Sequence, residues 1–423
     1  MDIYRECMDY FSHRGFRRAL QEIRRKYWSL GRFGGLVVLS HPTDAEVEVL
    51  SRFLREDFSH RHPLRFHVKK FERELQNTRF EGISLEDILE GVLKEKLVTR
   101  QEARQKLEEE RKAFFSELME RVQDSRVWGW IREIQSSPLE YRSIFERMDE
   151  KEGLLDDLTL VCRGLLHLPQ SPRISLPVFA ARISSDPHFF DLDRDTGRYF
   201  LKALAFLKQR PLPQDAEGRA ELLYEHGILI DEFSNFVLTN GLVAWNGGDL
   251  HPVWKAAWEA RYPLTVSLNN LNGVDRMDSP TKSVLVVENP SVFAALIEKR
   301  KGIPCICVSG QPNIAVFVVL SALYESGCNI FYSGDFDPEG LLIADKLLKR
   351  FPRMELCAMD VSDYKKSCSN VLLDDKRLHK LKGIEHPRLK ALAQAMMEEK
   401  RAGYQETILQ DILQAIESWT NSL

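Results

Sequence analysis

The run Ser283-Val284-Leu285-Val286-Val287 restricts the possible folds of this chain more than any other segment. A serine followed by four aliphatic residues, three of them β-branched, reads as a strand buried on both faces, a position found in the interior of a sheet. The run stops abruptly at Glu288-Asn289-Pro290, so a carboxylate sits at the tip of a core strand. Val292, Phe293, Leu296 and Ile297 then recur at helical spacing. Pro304 to Val308 predicts a second strand, and the polar loop Ser309-Gly310-Gln311-Pro312-Asn313 leads into an apolar helix from Ile314 to Tyr324. A third strand, Asn329 to Tyr332, runs into Ser333-Gly334-Asp335-Phe336-Asp337-Pro338-Glu339-Gly340, and a further helix follows from Leu341 to Arg350.

Strands and helices that alternate with short connections predict an α/β fold with a parallel sheet, whose sites form at the carboxyl ends of the strands. Glu288, Asp335 and Asp337 all fall at such ends. Residues two apart on an extended segment point the same way, so Asp335 and Asp337 are expected to face one cavity while Phe336 turns to the other side. Pro338 fixes the turn, Glu339 adds an acid at a helix N-terminus where the dipole favours it, and Gly340 permits close backbone approach. Clustered carboxylates repel one another unless a cation lies between them. Hard oxygen ligands suit Mg²⁺ or Mn²⁺, and these ions suit phosphate chemistry.

Val286-Val287-Glu288 followed by Asp335-Phe336-Asp337-Pro338-Glu339-Gly340-Leu341-Leu342-Ile343 resembles the Toprim domain of topoisomerases, primases and several nucleases, in the form found in topoisomerase VI A subunits. Within that branch, Glu288-Asn-Pro-Ser-Val-Phe, Ser309-Gly-Gln-Pro-Asn and Gly334-Asp-Phe-Asp resemble the JetD family, the nuclease subunits of Wadjet anti-plasmid systems. Trp28-Ser-Leu-Gly-Arg-Phe-Gly-Gly and Asp186-Pro-His-Phe-Phe-Asp extend the likeness over most of the chain. The resemblance implies a Rossmann-like Toprim domain and a Mg²⁺- or Mn²⁺-dependent DNA endonuclease. Glu288 would act as general base or water organiser, Asp335 and Asp337 as metal ligands and Glu339 as an accessory ligand. It further implies double-stranded plasmid DNA as substrate, an SMC-like ATPase complex that delivers it, and a homodimer.

The sequence outside this core reads as three further regions. Residues 1–82 form a basic, winged-helix-like module, with 16 Lys plus Arg against 11 Asp plus Glu up to Phe80. This excess contrasts with a net charge of −4 for the whole chain and offers Arg17, Arg18, Arg24 and Arg25 to phosphates, although a solvated surface explains them equally well. Thr43 and Glu46 predict a capping box at the start of a helix. Residues 83–150 read as a helical arm of mixed charge. Residues 151–275 read as a winged-helix-like middle domain, and 280–423 as the Toprim domain. Gly310, Gln311, Asn313 and Lys366 are candidate substrate contacts, with Lys365 as an alternative to Lys366 and Glu406 as an outer acid. His188 reads as a turn histidine. The seven cysteines lack metal-knuckle spacing and read as reduced thiols. No apolar run approaches the roughly 18 residues of a membrane span, and the N-terminus lacks a signal-peptide core, so a cytoplasmic protein is expected.

Three other functions compete with the endonuclease. A topoisomerase-like strand transferase needs a nucleophilic tyrosine, but Tyr199 and Tyr224 both lie in amphipathic helical patterns and read as packing residues. A haloacid-dehalogenase-type phosphatase expects Thr or Val two residues after its second Asp, where this chain has Glu339, and makes no use of Glu288. A non-catalytic DNA-binding subunit leaves the clustered acids without a physical reason.

Overall fold

The computed structural model describes residues 3–60 and 63–417. The chain divides into two compact units, Met1–Gln123 and Asp124–Leu423. The division falls inside the stretch read from sequence as a helical arm.

In the first unit, helices Ile3–Phe11, Arg14–Leu30, Asp44–Leu54, Val68–Gln76 and Leu85–Leu93 accompany a two-stranded antiparallel ladder. Leu36 pairs with His67 and Leu39 with Leu64. Buried and exposed residues alternate along both strands, as expected for a ladder with one face on a core. That core is rich in phenylalanine, and the rings of Phe53 and Phe71 lie 4.6 Å apart. The capping box is present: Glu46 N donates to Thr43 Oγ1, and Thr43 N donates to Glu46 Oε2. Arg100–Val122 is one continuous helix on which only Phe114, Phe115 and Leu118 are buried. Pairs one turn apart, such as Arg121 with Glu117 at 2.9 Å, run along its surface, in keeping with a solvated helix.

In the second unit, helices Trp128–Ser136, Lys151–Leu166, Leu176–Ser184, Asp195–Leu207 and Ala216–Glu225 precede a six-stranded sheet. The helical part contains Phe190 stacked on Phe200 at 4.3 Å. The sheet strands are β1 (Phe236–Asn240), β2 (Leu264–Ser267), β3 (Ser283–Val287), β4 (Cys305–Cys307), β5 (Asn329–Ser333) and β6 (Glu355–Leu356), in the order β6-β5-β3-β4-β1-β2. The parallel arrangement expected from sequence holds for β6, β5, β3 and β4. The sheet as a whole is mixed, because β1 joins the free edge of β4 antiparallel and β2 joins β1 in the same sense. The unpaired backbone of β4 is thereby satisfied by strands from outside the predicted Toprim segment.

Helices α1 (Pro290–Lys299), α2 (Ile314–Glu325) and α3 (Pro338–Arg350) follow β3, β4 and β5, and a short helix α4 (Asp375–Lys380) comes later. Every residue of β3 is buried, which explains its uniformly apolar sequence. The chain passes from β3 to β4 on one side, and from β5 to β6 on the other. Adjacent β3 and β5 therefore form a switch point, where the connections diverge and leave a crevice at the strand ends. Since Leu285 lies at the centre of this sheet, Leu285→Ala should lower stability by about 2–5 kcal/mol. Chemical denaturation should show this as a lower midpoint with an unchanged slope.

Candidate active site

The register of β3 and β5 sets the site. Val287 pairs with Ser333, so Glu288 leaves the sheet beside Gly334 and Asp335. Asp335 N donates to Glu288 Oε2 at 3.2 Å, fixing one carboxylate against the backbone of the other. Phe336 turns into the core, fully buried, and pairs with Gly403 through two backbone hydrogen bonds of 3.0 and 2.9 Å. Asp335 and Asp337 thus flank an inward residue, as the alternation requires. Gly340 is needed for close approach: a Cβ there would lie 2.5 Å from Asp335 O and 2.9 Å from Glu288 Oε2.

The four acids fall into two differently treated pairs. Burial raises Glu288 to about 7, assisted by the charges of Asp335, Asp337 and Glu339. Asp335 is raised to about 6, again first by burial, with Glu406 and Asp337 adding to it and the amide of Gln405 opposing it. Each accepts one hydrogen bond from the chain, Glu288 from Asp335 N and Asp335 from Gln405 N at 2.9 Å. On the other side, Asp337 caps α3 by accepting from Gly340 N at 2.7 Å and also accepts from Arg377 Nη2 at 2.7 Å. Glu339 accepts from Arg377 Nε at 3.1 Å, from Arg377 Nη2 and from Lys380 Nζ at 2.8 Å. Burial favours the neutral form of Glu339, but the bonds from Arg377 and Lys380 outweigh it and hold the carboxyl at about 2.

Three segments that the sequence reading did not assign a firm role complete the site. Arg377 and Lys380 come from α4, a short charged helix with no local signature. Gln405 begins a turn of 3₁₀ helix, and its neighbour Glu406 accepts from Asn289 Nδ2 at 2.7 Å, which brings the outer acid to the crevice. Tyr332 is fully buried, and Glu288, Asp335 and Asp337 are among the charges that, after burial, push its hydroxyl up. Among the described residues, Tyr332 Oη, Ser333 Oγ and both side-chain polar atoms of Gln405 are buried without a hydrogen-bond partner.

The remaining candidates are placed as follows. Ser309 and Gly310 both adopt positive φ, 54° and 88°, and Gly310 N donates to Glu288 O at 3.3 Å, so this loop lies against the site. Gln311 is exposed. Asn313 caps α2 through Val316 N and donates to Phe236 O at 2.8 Å, which binds it into the fold. Lys366 pairs with Asp411 and, at 3.8 Å, with Asp363. In the first unit, Arg18 is paired with Glu46, Arg24 with Glu95 and Arg25 with Glu22, whereas Arg17 is exposed and has no acidic partner among the described residues. Tyr199 is buried, and Tyr224 packs beneath the Arg173 guanidinium at 4.2 Å. His188 bonds to Asp191 at 2.9 Å within its turn. The cysteines are free, and all except the half-buried Cys368 are buried.

The family described as Protein of unknown function N-terminus (DUF3323) matches residues 33–244, and the one described as Protein of unknown function C-terminus (DUF2399) matches residues 264–416. The chain therefore belongs to the family that joins these two domains. This pairing is the JetD-type architecture. A comparison with curated proteins finds no match.

The donor set fits a hard divalent cation. Glu288 and Asp335 offer carboxylate oxygens that accept one chain hydrogen bond each, and among the described residues no basic side chain bonds to either. Among the described residues, no three acidic, His or Cys side chains are grouped so as to enclose an ion, and Asp337 and Glu339 are turned to Arg377.

A carboxyl that binds its proton more tightly when folded than when unfolded makes stability fall as pH rises through the interval between its two pKa values. For Glu288 that interval runs from 4.5 to about 7. In chelator, wild type should lose on the order of 2–3 kcal/mol relative to Glu288→Gln across this interval. Urea denaturation of both proteins at pH 4.5, 6 and 8 measures the difference, and Mn²⁺ at pH 8 should restore part of the loss.

Proposed function

We propose that this protein is a Mg²⁺- or Mn²⁺-dependent endonuclease that cuts double-stranded plasmid DNA in a defence system, receiving it from an SMC-type ATPase complex. One observation carries this reading: two half-buried carboxylates, Glu288 and Asp335, are held together at the sheet switch point, and among the described residues no basic side chain bonds to either. The DUF3323–DUF2399 pairing supports the biological context.

Glu288 and Asp335 are the residues that would hold the metal, whereas both oxygens of Asp337 are already taken by Gly340 N and Arg377 Nη2. When bound, the ion supplies Lewis-acid stabilisation of the phosphate and an acidified water. Glu288 takes up the proton of the attacking water, a task suited to a carboxyl whose burial raises it to about 7. Asp335 is fixed for its role by Gln405 N, and Asp337 is held beside it by Gly340 N and Arg377 Nη2. Hydrolysis needs no covalent intermediate, which agrees with Tyr199 and Tyr224 being packed. In the first unit, exposed Arg17 would be free to meet a DNA phosphate, unlike Arg18, Arg24 and Arg25, which already have acidic partners.

Wild type with Mn²⁺ should linearise supercoiled plasmid in the presence of its partner complex, whereas Glu288→Ala and Asp335→Ala should reduce cleavage at least about a thousandfold, as expected for losing a metal site or general base. Equal cleavage by wild type and a Glu288→Ala/Asp335→Ala double variant would overturn the assignment.

Two scissile phosphates on antiparallel strands are related by a local two-fold axis, and a C₂ homodimer presents two sites with that symmetry. We therefore assign one strand to each protomer. Mixed dimers of wild type and Glu288→Ala should nick plasmid rather than linearise it, which gel separation of open-circular from linear product would reveal.

A further inference from the structure

We infer that Arg377, with Lys380, permanently occupies the Asp337–Glu339 side of the site as a built-in counter-cation, so that each chain takes a single divalent ion, on the Glu288–Asp335 side. This inference rests on the metal-dependent reading above and specifies it further.

All four oxygens of Asp337 and Glu339 accept hydrogen bonds from the chain itself. Two formal negative charges meet two formal positive ones, and the Arg377 guanidinium bridges both carboxylates in a planar fork. A divalent ion at this pair would have to break several charge-assisted bonds and then sit beside two like charges. Nothing comparable protects the other side. Glu288 and Asp335 accept one bond each, both from backbone amides, Glu406 adds a third negative charge nearby, and among the described residues no basic side chain bonds to either carboxyl. Among the described residues, the polar side-chain atoms of Tyr332 and Ser333 on β5, and of Gln405 in the turn that bonds Asp335, are buried without a hydrogen-bond partner.

Arg377 is held in place by its own helix. Its backbone N donates to the N-cap Asp374 Oδ1 at 2.7 Å, Leu378 is buried beneath it, and α4 packs against α3. The cation is therefore preplaced, as a fixed part of the crevice.

Titrating Mn²⁺ into the chelator-treated full-length protein, with free ion followed by electron paramagnetic resonance, measures stoichiometry without recourse to cleavage. Wild type should bind one ion per chain, Glu288→Gln/Asp335→Asn none at the same concentrations, and Arg377→Gln/Lys380→Gln two. Arg377→Lys keeps a cation in place and should remain at one, which supplies a folded control if the double variant is unstable. Two ions on wild type, or two on Arg377→Lys, would overturn the inference while leaving the metal reading intact. A single ion on a folded Arg377→Gln/Lys380→Gln variant would overturn it as well. No binding by wild type would defeat the metal reading and this inference together.

Discussion

Repulsion between carboxylates that the sheet forces together is the interaction on which the rest of the site depends. Glu288 and Asp335 follow neighbouring parallel strands whose register is set by Val287 opposite Ser333, so they cannot move apart without disrupting β3–β5 pairing. Both are half-buried, and burial is the leading reason that their protons are held more tightly than usual. Cohesion of an apolar core thus opposes the separation that electrostatics alone would favour. The fold tolerates the strain because β3 is buried along its whole length and contributes far more hydrophobic stabilisation than one unfavourable carboxyl removes.

The chain answers this repulsion in two ways within one crevice. At Asp337 and Glu339 it provides its own cations, and Glu339 consequently ionises far below the ordinary range. At Glu288 and Asp335 it provides only backbone donors, which satisfy part of each carboxylate without cancelling its charge. Backbone amides fix orientation, whereas cations fix charge. Orientation is thus fixed at Glu288 and Asp335 while their charge is left open, and this is the feature on which the proposed divalent-ion reading rests.

Much of this was legible in the sequence because strand ends are local. An apolar run ending in Glu288, and a second ending in Asp335-Phe336-Asp337-Pro338, can be read from periodicity and turn chemistry without knowing what lies alongside. The inward turn of Phe336 follows from strand alternation in the same way. Arg377 and Gln405 could not be found like this, since they reach the acids from 38 to 70 residues further along the chain, and their own surroundings read as an ordinary charged helix and an ordinary turn. The two antiparallel strands, β1 and β2, were equally hidden, since nothing local says that Thr239 will lie opposite Ile306. The basic face of the first unit shows a different limit: composition counts arginines, and only the fold shows that Arg18, Arg24 and Arg25 already have acidic partners.

The recruitment of β1 also ties the halves of the sequence together physically. The DUF3323 match ends at residue 244, after β1, and the DUF2399 match begins at 264, where β2 starts. Yet β1 and β2 are neighbours in the sheet that carries the acids, and Asn313, in the loop beside Glu288, donates to Phe236 O. Asn235 extends the same link by accepting from Ala315 N at 2.9 Å. The loop that lies against the site is therefore anchored by a strand from the N-terminal match. Weakening that strand should loosen the loop around Glu288 although every acid remains in the C-terminal match. The two matched regions form one structural system at the sheet edge, and the acidic crevice is supported from both.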